Sequence, residues 1–323
     1  MDSGNIGFVL LCAAFVFVMT PGLAMFYGGL VRKKNVVNTM MTSIFIIGIG
    51  IVMWVLFGYS LSFAPSGNAF IGDFRWLGLE GVSLTEGYTD DASIPNMVFS
   101  AFQMMFAVIT PALITGAVAG RMKFKSIFVF TIFWSLIVYY PLAHMVWGQG
   151  GLLGADGIGA LDFAGGDVVH ISSGVSALVL CILLGKRHDY EHSIYRIHNI
   201  PTVVLGASLL MFGWFGFNAG SALAADGLAA HAFMTTGVSA AAAMLSWMLC
   251  DIIKNKKPTL IGASTGMVAG LVGITPGAGF VPMWAAVIIG LTTSPVCYIM
   301  ISYGKKKFGF DDALDAFSCH GTG

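Results

Sequence analysis

Residues 44–63 read IFIIGIGIVMWVLFGYSLSF, a run of twenty residues without a charged side chain. A helix of about 20 apolar residues is long enough to cross the hydrocarbon core of a bilayer. Eight or nine runs of this kind fill the 323-residue sequence. Charged residues make up only 10% of the sequence, whereas a soluble domain carries about 25%. The sequence therefore predicts an all-α integral membrane protein.

Outward from this stretch, hydropathy divides the whole chain into membrane-spanning helices. The N-terminal residues MDSGN carry no basic group, so we expect the first run to remain as a helix and not to be cleaved as a signal peptide. We expect residues 1–323 to form a single transmembrane domain. The predicted helices lie at about 6–30, 37–63, 97–119, 125–147, 168–185, 200–220, 229–253, 258–275 and 281–303, and a tenth begins near Ala313.

The basic residues are sorted to one side of these helices. Fifteen of the sixteen Lys and Arg residues lie in every second loop, and only Arg75 lies on the other side. Cytoplasmic loops carry an excess of basic residues, so the pattern places the N-terminus outside and predicts a multi-pass protein of the plasma or inner membrane. The clusters are Arg32-Lys33-Lys34; Arg121, Lys123 and Lys125; Lys186, Arg187 and Arg196; Lys254, Lys256 and Lys257; and Lys305-Lys306-Lys307.

The basic loop at 186–199 divides the predicted helices into two sets of five. An odd number of helices in each half gives the halves opposite orientations, which is the arrangement of an inverted repeat. The 42 glycines let helix backbones approach closely in a bilayer and favour a tightly packed bundle.

Composition and motifs exclude several other classes of protein. The net charge of zero gives no reason to expect a nucleic-acid partner. The five cysteines show no CxxC spacing, which argues against a disulfide framework or a zinc site. The sequence contains no GxxxxGK[ST] motif for direct coupling to ATP. With no nucleophile–base arrangement and no metal-ligand cluster, we expect neither an enzyme nor a cofactor or bound metal.

Two histidines stand out inside the predicted helices, where no charged side chain lies at a helix centre. His170 lies in GDVVHISSG of the fifth helix and His320 lies in LDAFSCHGTG of the tenth. His170 is sixteen residues before Lys186, and His320 is thirteen residues after Lys307. At the rise of an α-helix these separations are roughly 24 and 20 Å. The two helices run in opposite directions, so the histidines lie at a similar depth and could face each other.

An ionisable residue within a membrane usually marks a functional site. We therefore predict that His170 and His320 act as a pair. Two alternatives stay open at this point. In the first, the nitrogens of each ring are hydrogen-bonded by neighbouring backbone. In the second, the rings are the two axial ligands of a haem, which a Soret band would reveal.

Aromatic residues and one hydroxyl gather at the predicted outer helix ends. Phe102 and Phe106 lie one turn apart in FQMMF, and Trp147 ends the fourth helix in HMVWG. Phe217 and Ser221 lie one turn apart in GWFGFNAGS. Taken singly, each aromatic is typical of core packing or of the interfacial aromatic belt. Taken together, they offer π faces and a hydroxyl to a small cation.

Several of these stretches resemble the ammonium transporter, methylammonium permease and Rhesus family. The similar motifs are AHMVWG at 143–148, DFAGGDVVH at 162–170, GWFGFNAGSA at 213–222 and DDALDAFSCHG at 311–321. They occur in the family's order along the whole chain, from TPGLAMFYGGLVRKKN at 20–35 onward. Their number and spacing make the resemblance specific, closest to bacterial or archaeal ammonium transporters.

This resemblance implies an eleven-helix fold with an inverted five-plus-five repeat and an external N-terminus. It also implies a homotrimer with one pore in each subunit, and ammonium or ammonia as the substrate, with methylammonium as an analogue. The site residues that it implies fall into four groups. They are the outer ammonium site of Trp147, Phe106, Ser221 and Phe102; the stacked gate of Phe106 and Phe217; the pore histidines His170 and His320; and Asp162, a buried acid that organises the outer vestibule or caps a helix.

The sequence departs from the family pattern in two places. Ser318 and Cys319 precede His320, where the family commonly has Gly-Val. The printed sequence ends at Gly323, within the tenth helix, so the family's eleventh helix and cytoplasmic tail lie outside it. That tail docks neighbouring subunits and PII-type regulators in the family, and we expect such a regulator only if a tail follows.

The chemistry of ammonium fits this arrangement. Burying a bare cation in a medium of low dielectric costs tens of kcal/mol by idealised estimates, whereas ammonia can cross an apolar passage. We therefore predict recruitment of NH₄⁺ at the outer site, its deprotonation, and passage of NH₃ with or without a separately relayed proton. The alternatives are an ammonium sensor with little or no transport and a channel for water or neutral gas.

Overall fold

The protein is described by a computed structural model over residues 1–155, 157–188, 190 and 196–323. Nine helices in this part of the chain are long and apolar enough to cross a membrane, and each matches one predicted span. The all-α membrane fold is thereby confirmed. The helices are α1 (Ser3–Leu30), α2 (Lys33–Phe63), α3 (Asn96–Ile114), α4 (Phe124–Trp147), α5 (Gly166–Leu184), α6 (Ile200–Gly220), α7 (Gly227–Asn255), α8 (Leu260–Gly277) and α9 (Met283–Phe308).

The basic clusters meet at one end of the bundle. Arg121 and Arg187 line the same cavity there. Arg187 forms an ion pair with Asp311, with Nη2 and Oδ1 2.6 Å apart. The backbone N–H of His198 donates to the carbonyl of Gly29 at 3.1 Å. The ends of α1, α3 and α5 therefore lie on the same face as the start of α6, which we call the basic face.

The other helix ends form the opposite face. Asn5 donates through Nδ2 to the Ser93 hydroxyl at 2.8 Å and accepts through Oδ1 from the N–H of Ala225 at 2.9 Å. The N–H of Phe163 donates to the carbonyl of Pro276 at 3.0 Å. These bonds join the start of α1 to the loops before α3 and α7, and the loop before α5 to the end of α8. We call this the outer face, because the charge pattern places the N-terminus outside.

Glycines allow a close helix crossing between α1 and α6. A Cβ atom on Gly206 would lie 2.3 Å from the backbone nitrogen of Phe26, and one on Gly29 would lie 2.7 Å from the nitrogen of Val203. Such distances leave no room for any side chain. Small residues that bring backbones together are a usual means of helix association in membranes.

The third helix ends earlier than the predicted range 97–119. Its last residue is Ile114. The N–H groups of residues 115–117 bond to carbonyls three residues back, at 3.1 to 3.3 Å, which tightens the chain into turns. A Cβ on Gly116 would lie 2.5 Å from the Tyr27 ring of α1. Hydropathy did not predict this end, because the residues in the turns are as apolar as the helix.

The sequence predicts that the tenth helix begins near Ala313. In the structure the helix begins later in the chain. Its described part is the π-helical segment Phe317–Gly321, which we call α10. Asp315 has a φ of 63°, which is incompatible with a right-handed helix. The helix therefore starts beyond this residue.

Candidate functional site

A buried carboxylate begins the helix that carries the first histidine. Asp162 is 8% exposed. Its Oδ1 accepts from the N–H groups of Gly165 and Gly166 at 2.6 and 2.8 Å, and its Oδ2 accepts from those of Asp167 and Val168 at 2.8 and 3.2 Å. These are N–H groups that a helix start leaves unpaired. Burial raises the pKa of Asp162, and the four donors oppose that rise because they favour the carboxylate.

A second buried carboxylate begins the helix that carries the second histidine. Asp312 accepts from the N–H groups of Ala316 and Ser318 at 3.0 and 3.1 Å, and also from the Ser318 hydroxyl at 3.3 Å. It is fully buried. Burial and the neighbouring charge of Asp315 raise the pKa of Asp312 to about 6.

The two caps are related by an identical spacing. His170 follows Asp162 by eight residues, and His320 follows Asp312 by eight residues. Each carboxylate therefore fixes the start of a short helical segment that presents a histidine. This Asp-x7-His spacing was present in the sequence, but Asp312 was not among the predicted site residues.

The two histidines lie in direct contact at the centre of the bundle. Their Nδ1 atoms are 3.1 Å apart, and their rings are stacked with centroids 5.1 Å apart and an interplanar angle of 17°. His170 is 3% exposed and His320 is 6% exposed. The ring of Trp214 stacks on His170 at 5.2 Å. One imidazole must donate and the other accept, so at least one of the two rings is neutral.

Both histidines occupy irregular helical turns. His170 lies in the π-helical segment Gly166–Ile171, and His320 lies in the π-helical segment Phe317–Gly321. Single π-helical turns occur frequently at functional sites. The separation of the two Nδ1 atoms is a hydrogen-bond distance, too short to place an iron between them. This geometry disfavours the haem alternative.

Two stacked phenylalanines lie on the outer side of the histidines. The ring centroids of Phe106 and Phe217 are 4.2 Å apart at 28°, and both side chains are buried. The ring of Phe217 also stacks on His170, with centroids 6.2 Å apart. The aromatic stack therefore leads directly to the first histidine.

An outer cavity of about 480 Å³ lies above the phenylalanine pair. Its lining includes Phe102, Phe106, Trp147 and Ser221, the four residues of the predicted outer site. Phe106 lies edge-to-face with Phe102 at 4.9 Å and with Trp147 at 6.0 Å. The Ser221 hydroxyl donates to the carbonyl of Phe217 at 2.9 Å, so its oxygen lone pairs remain available as acceptors.

The cap and the aromatic site are joined by one hydrogen bond. Trp147 donates through Nε1 to the backbone carbonyl of Asp162 at 3.0 Å. Asp162 thus caps α5 with its side chain and holds the Trp147 ring with its backbone carbonyl. This contact ties the position of the outer aromatic wall to the start of the histidine-bearing helix.

Gln103 is a further lining residue that the sequence reasoning did not weigh. It is 8% exposed, lies between Phe102 and Phe106 in the chain, and lines the outer cavity. Its Oε1 is buried and has no hydrogen-bond partner within the described residues. The available signal was a lone amide in the otherwise apolar FQMMF, but only the fold shows that its oxygen is unpaired.

An inner cavity of about 370 Å³ lies on the other side of the phenylalanine pair. Its lining includes Phe217, both histidines and Trp214, and it extends to the basic face at Arg187. The Nε2 atom of His170 is buried without a partner in the part of the chain that the structure describes. The predicted site residues are thus brought together along one line, from the outer face through the phenylalanines to the histidines.

The chain is similar to known proteins of one family. The sequence profile described as the Ammonium Transporter Family matches residues 7–323. The ammonium transporter of Bacillus subtilis is 53% identical over 323 residues, which cover 100% of this chain and 78% of that protein. The crystal structure of Saccharomyces cerevisiae Mep2 is similar with a TM-score of 0.91 and 38% identity, covering 100% of this chain and 73% of Mep2.

A structure described as a sensor Amt protein is also similar. Its TM-score is 0.88 at 29% identity, and the match covers 98% of this chain and 79% of that one. The profile spans nearly the whole chain, and the B. subtilis relative is well above the identity at which two proteins share a family. This multi-pass membrane chain therefore belongs to the ammonium transporter family.

Proposed function

We propose that the protein transports ammonium by recruiting NH₄⁺ in the outer cavity, removing a proton, and passing NH₃ along the paired histidines. One observation carries this proposal. A cavity walled by aromatic rings and open acceptors is separated by Phe106 and Phe217 from a cavity that begins at a pair of buried imidazoles. The first environment suits a cation, and the second suits a small neutral molecule with hydrogen-bonding groups.

The outer cavity can hold ammonium but cannot offset its complete burial. Cation–π attraction from Trp147 and Phe106 contributes about 0.5–2 kcal/mol each. Full desolvation of the ion costs tens of kcal/mol by idealised estimates. Loss of one proton removes most of this cost. The resulting neutral ammonia can then pass the stacked, apolar pair of Phe106 and Phe217.

Hydrogen bonding separates ammonium from potassium, which has the same charge and a similar size. Ammonium donates hydrogen bonds at fixed angles, whereas potassium has none to donate. Ser221 and Gln103 line the outer cavity, and the buried Oε1 of Gln103 is an acceptor without a partner among the described residues. We propose that this oxygen and the Ser221 hydroxyl oxygen both accept from the bound ion.

Replacing Gln103 by leucine tests this role. We expect the apparent affinity for methylammonium to fall about 10-fold, because a hydrogen bond to a charged group contributes about 1.5–3 kcal/mol. Concentration-dependent uptake of labelled methylammonium gives the KM. The matched control is Gln149→Leu, since the Gln149 amide already donates to the Tyr88 carbonyl at 2.9 Å and does not line the cavity. An unchanged KM in a folded Gln103→Leu protein would remove Gln103 from the site.

The histidine pair provides the polar part of the inner path. The unpartnered Nε2 of His170 can exchange a hydrogen bond with ammonia, while the Nδ1 contact links His170 to His320. Imidazole suits this position because either nitrogen can donate or accept. The same contact offers a path by which a proton could move separately from ammonia.

We further propose the homotrimer that the family resemblance implies, with one pore in each subunit. Native mass spectrometry of the detergent-solubilised protein would measure this assembly directly. A PII-type regulator enters the proposal only for a protein in which a cytoplasmic tail follows Gly323.

The second candidate function is ammonium sensing. The similarity to the structure described as a sensor Amt protein favours it specifically. Expression in cells that lack ammonium uptake distinguishes the two functions. We expect a transporter to restore growth at low ammonium concentration, and failure of a membrane-inserted protein to do so would favour the sensor.

Reconstitution into liposomes identifies the species that crosses. An inward ammonium gradient should produce a saturable current if the proton accompanies ammonia by a separate path. Saturable uptake without current would indicate net ammonia transfer. Flux without saturation, together with osmotic swelling, would instead favour a channel for water or neutral gas and contradict the proposal.

A further inference from the structure

Two cysteine thiols lie together behind His320. Cys297 on α9 is completely buried, and Cys319, which directly precedes His320, is 6% exposed. The Cys297 thiol donates to the Cys319 carbonyl, with the sulfur and oxygen 3.9 Å apart, so the two cysteines are in direct contact. Both side chains are free thiols, and the transport mechanism proposed above uses neither of them.

The thiol pair can be reached from the inner cavity. Cys319 lines that cavity together with His320 and Trp214, and the same cavity extends to the basic face. A small ion or neutral complex that enters from this face therefore meets Cys319 first. Cys297 does not line this cavity.

We propose that Cys297 and Cys319 form a two-coordinate binding site for a soft divalent cation, for which Hg(II) is the probe. Thiolates are the ligands that soft metal ions prefer, and the metal binds the deprotonated sulfur. Each thiol loses its proton as its sulfur bonds to the metal. Two S–H bonds break, two metal–sulfur bonds form, and two protons leave through the inner cavity. No atom changes its oxidation state, because the step only exchanges two protons for one divalent metal ion.

Charge balance selects a divalent ion. Burying an uncompensated charge is costly, so the complete site must be close to neutral. Two thiolates and one divalent cation form a neutral unit, whereas a monovalent soft ion would leave one negative charge. The Asp312 carboxylate accepts from the N–H of Ser318, the neighbour of Cys319, and would oppose such an additional negative charge.

A metal ion bound at this site would affect the pore because Cys319 is bonded directly to the pore residue His320. Cys319 and His320 are adjacent in α10, so metal bonds that fix Cys319 also shift or immobilise the second pore histidine. The binding site stands independently of the transport proposal, because it rests on the two thiols alone. Inhibition of uptake is its expected consequence in a protein that transports.

Metal titration of the whole protein in detergent tests the site. A variant carrying Cys12→Ala, Cys181→Ala and Cys250→Ala retains only the proposed ligands. We expect one Hg(II) per chain, a mercury–thiolate charge-transfer band, and release of two protons per bound ion. Adding Cys297→Ala or Cys319→Ala should weaken binding by at least about 100-fold, since losing even a group that supports a metal ligand typically costs 10- to 100-fold.

Two results would overturn the site. One is loss of the absorption band in the three-alanine variant, which would place the binding elsewhere. The other is unchanged affinity after Cys297→Ala. Should an alanine variant fold poorly, Cys297→Ser preserves the side-chain volume and gives the same comparison. Methylammonium uptake gives a second readout, in which the rate of each variant with Hg(II) is compared with its own rate without metal. We expect Hg(II) to inhibit uptake, and the inhibition to disappear in the Cys297 variants.

Discussion

Replacing both His170 and His320 with alanine should abolish selective methylammonium uptake. The substitution removes the two imidazoles that follow the phenylalanine pair, which are the groups proposed to hydrogen-bond ammonia there. It also removes the Nδ1 contact of 3.1 Å through which a proton could be relayed. We expect saturable uptake in liposomes to fall to the background of protein-free vesicles, and any remaining flux to lose its selectivity over potassium.

His231 provides the matched control for this double variant. It is a half-buried histidine whose Nε2 bonds to the carbonyl of Val281 at 2.8 Å, and it lines neither the inner nor the outer cavity. His231→Ala should therefore retain selective uptake. Unchanged uptake and unchanged selectivity over potassium in the His170 and His320 double variant would show that the pore has been assigned incorrectly.

The Asp162→Ala substitution should have the second largest effect. It leaves four N–H groups at the start of α5, three of them buried, without their carboxylate acceptor. Hydrogen bonds to a charged group contribute about 1.5–3 kcal/mol each, so even partial loss should destabilise the protein by at least ~3 kcal/mol. Trp147 donates to the Asp162 backbone carbonyl. Its ring should therefore also lose its fixed position when the cap is removed. We expect a large fall in thermal stability and loss of methylammonium uptake.

Asp226→Ala separates this effect from that of an ordinary helix cap. Asp226 begins α7 and accepts one N–H, from Ala229 at 3.0 Å, in an exposed position. Removal of such a cap costs about 1 kcal/mol. Detergent melting curves and uptake should therefore change little in Asp226→Ala. If Asp162→Ala melted and transported like Asp226→Ala, Asp162 would be no more than a surface cap.

Much of the fold could be predicted because its signals are local. Nine predicted spans correspond to nine described helices, since about 20 apolar residues without charge identify a membrane helix with little help from the rest of the chain. The errors lie at helix ends. The end of α3 at Ile114 depends on packing against Tyr27, and the late start of α10 depends on the left-handed conformation of Asp315. Neither feature changes hydropathy.

The site residues could be chosen from the sequence, but their relations could not. His170 and His320 were paired by depth, because basic clusters gave both helices a common reference. The sequence does not identify Gln103, because an amide in an apolar run indicates a site only when its oxygen is found without a partner. Asp312 was passed over because its equivalence to Asp162 appears only when both are seen bonding to helix starts.

The sequence by itself determined the number of spans, their order and the face that carries the basic residues, since hydropathy and charge act within each segment. Tertiary structure alone decided the features that join distant segments. It brought the rings of His170 and His320 into contact across 150 residues of chain, and it placed Cys297 beside Cys319. It also set the stacked phenylalanines between two separate cavities. Such contacts depend on how helices cross and on which backbones approach closely, and hydropathy and charge patterns within single segments do not specify them.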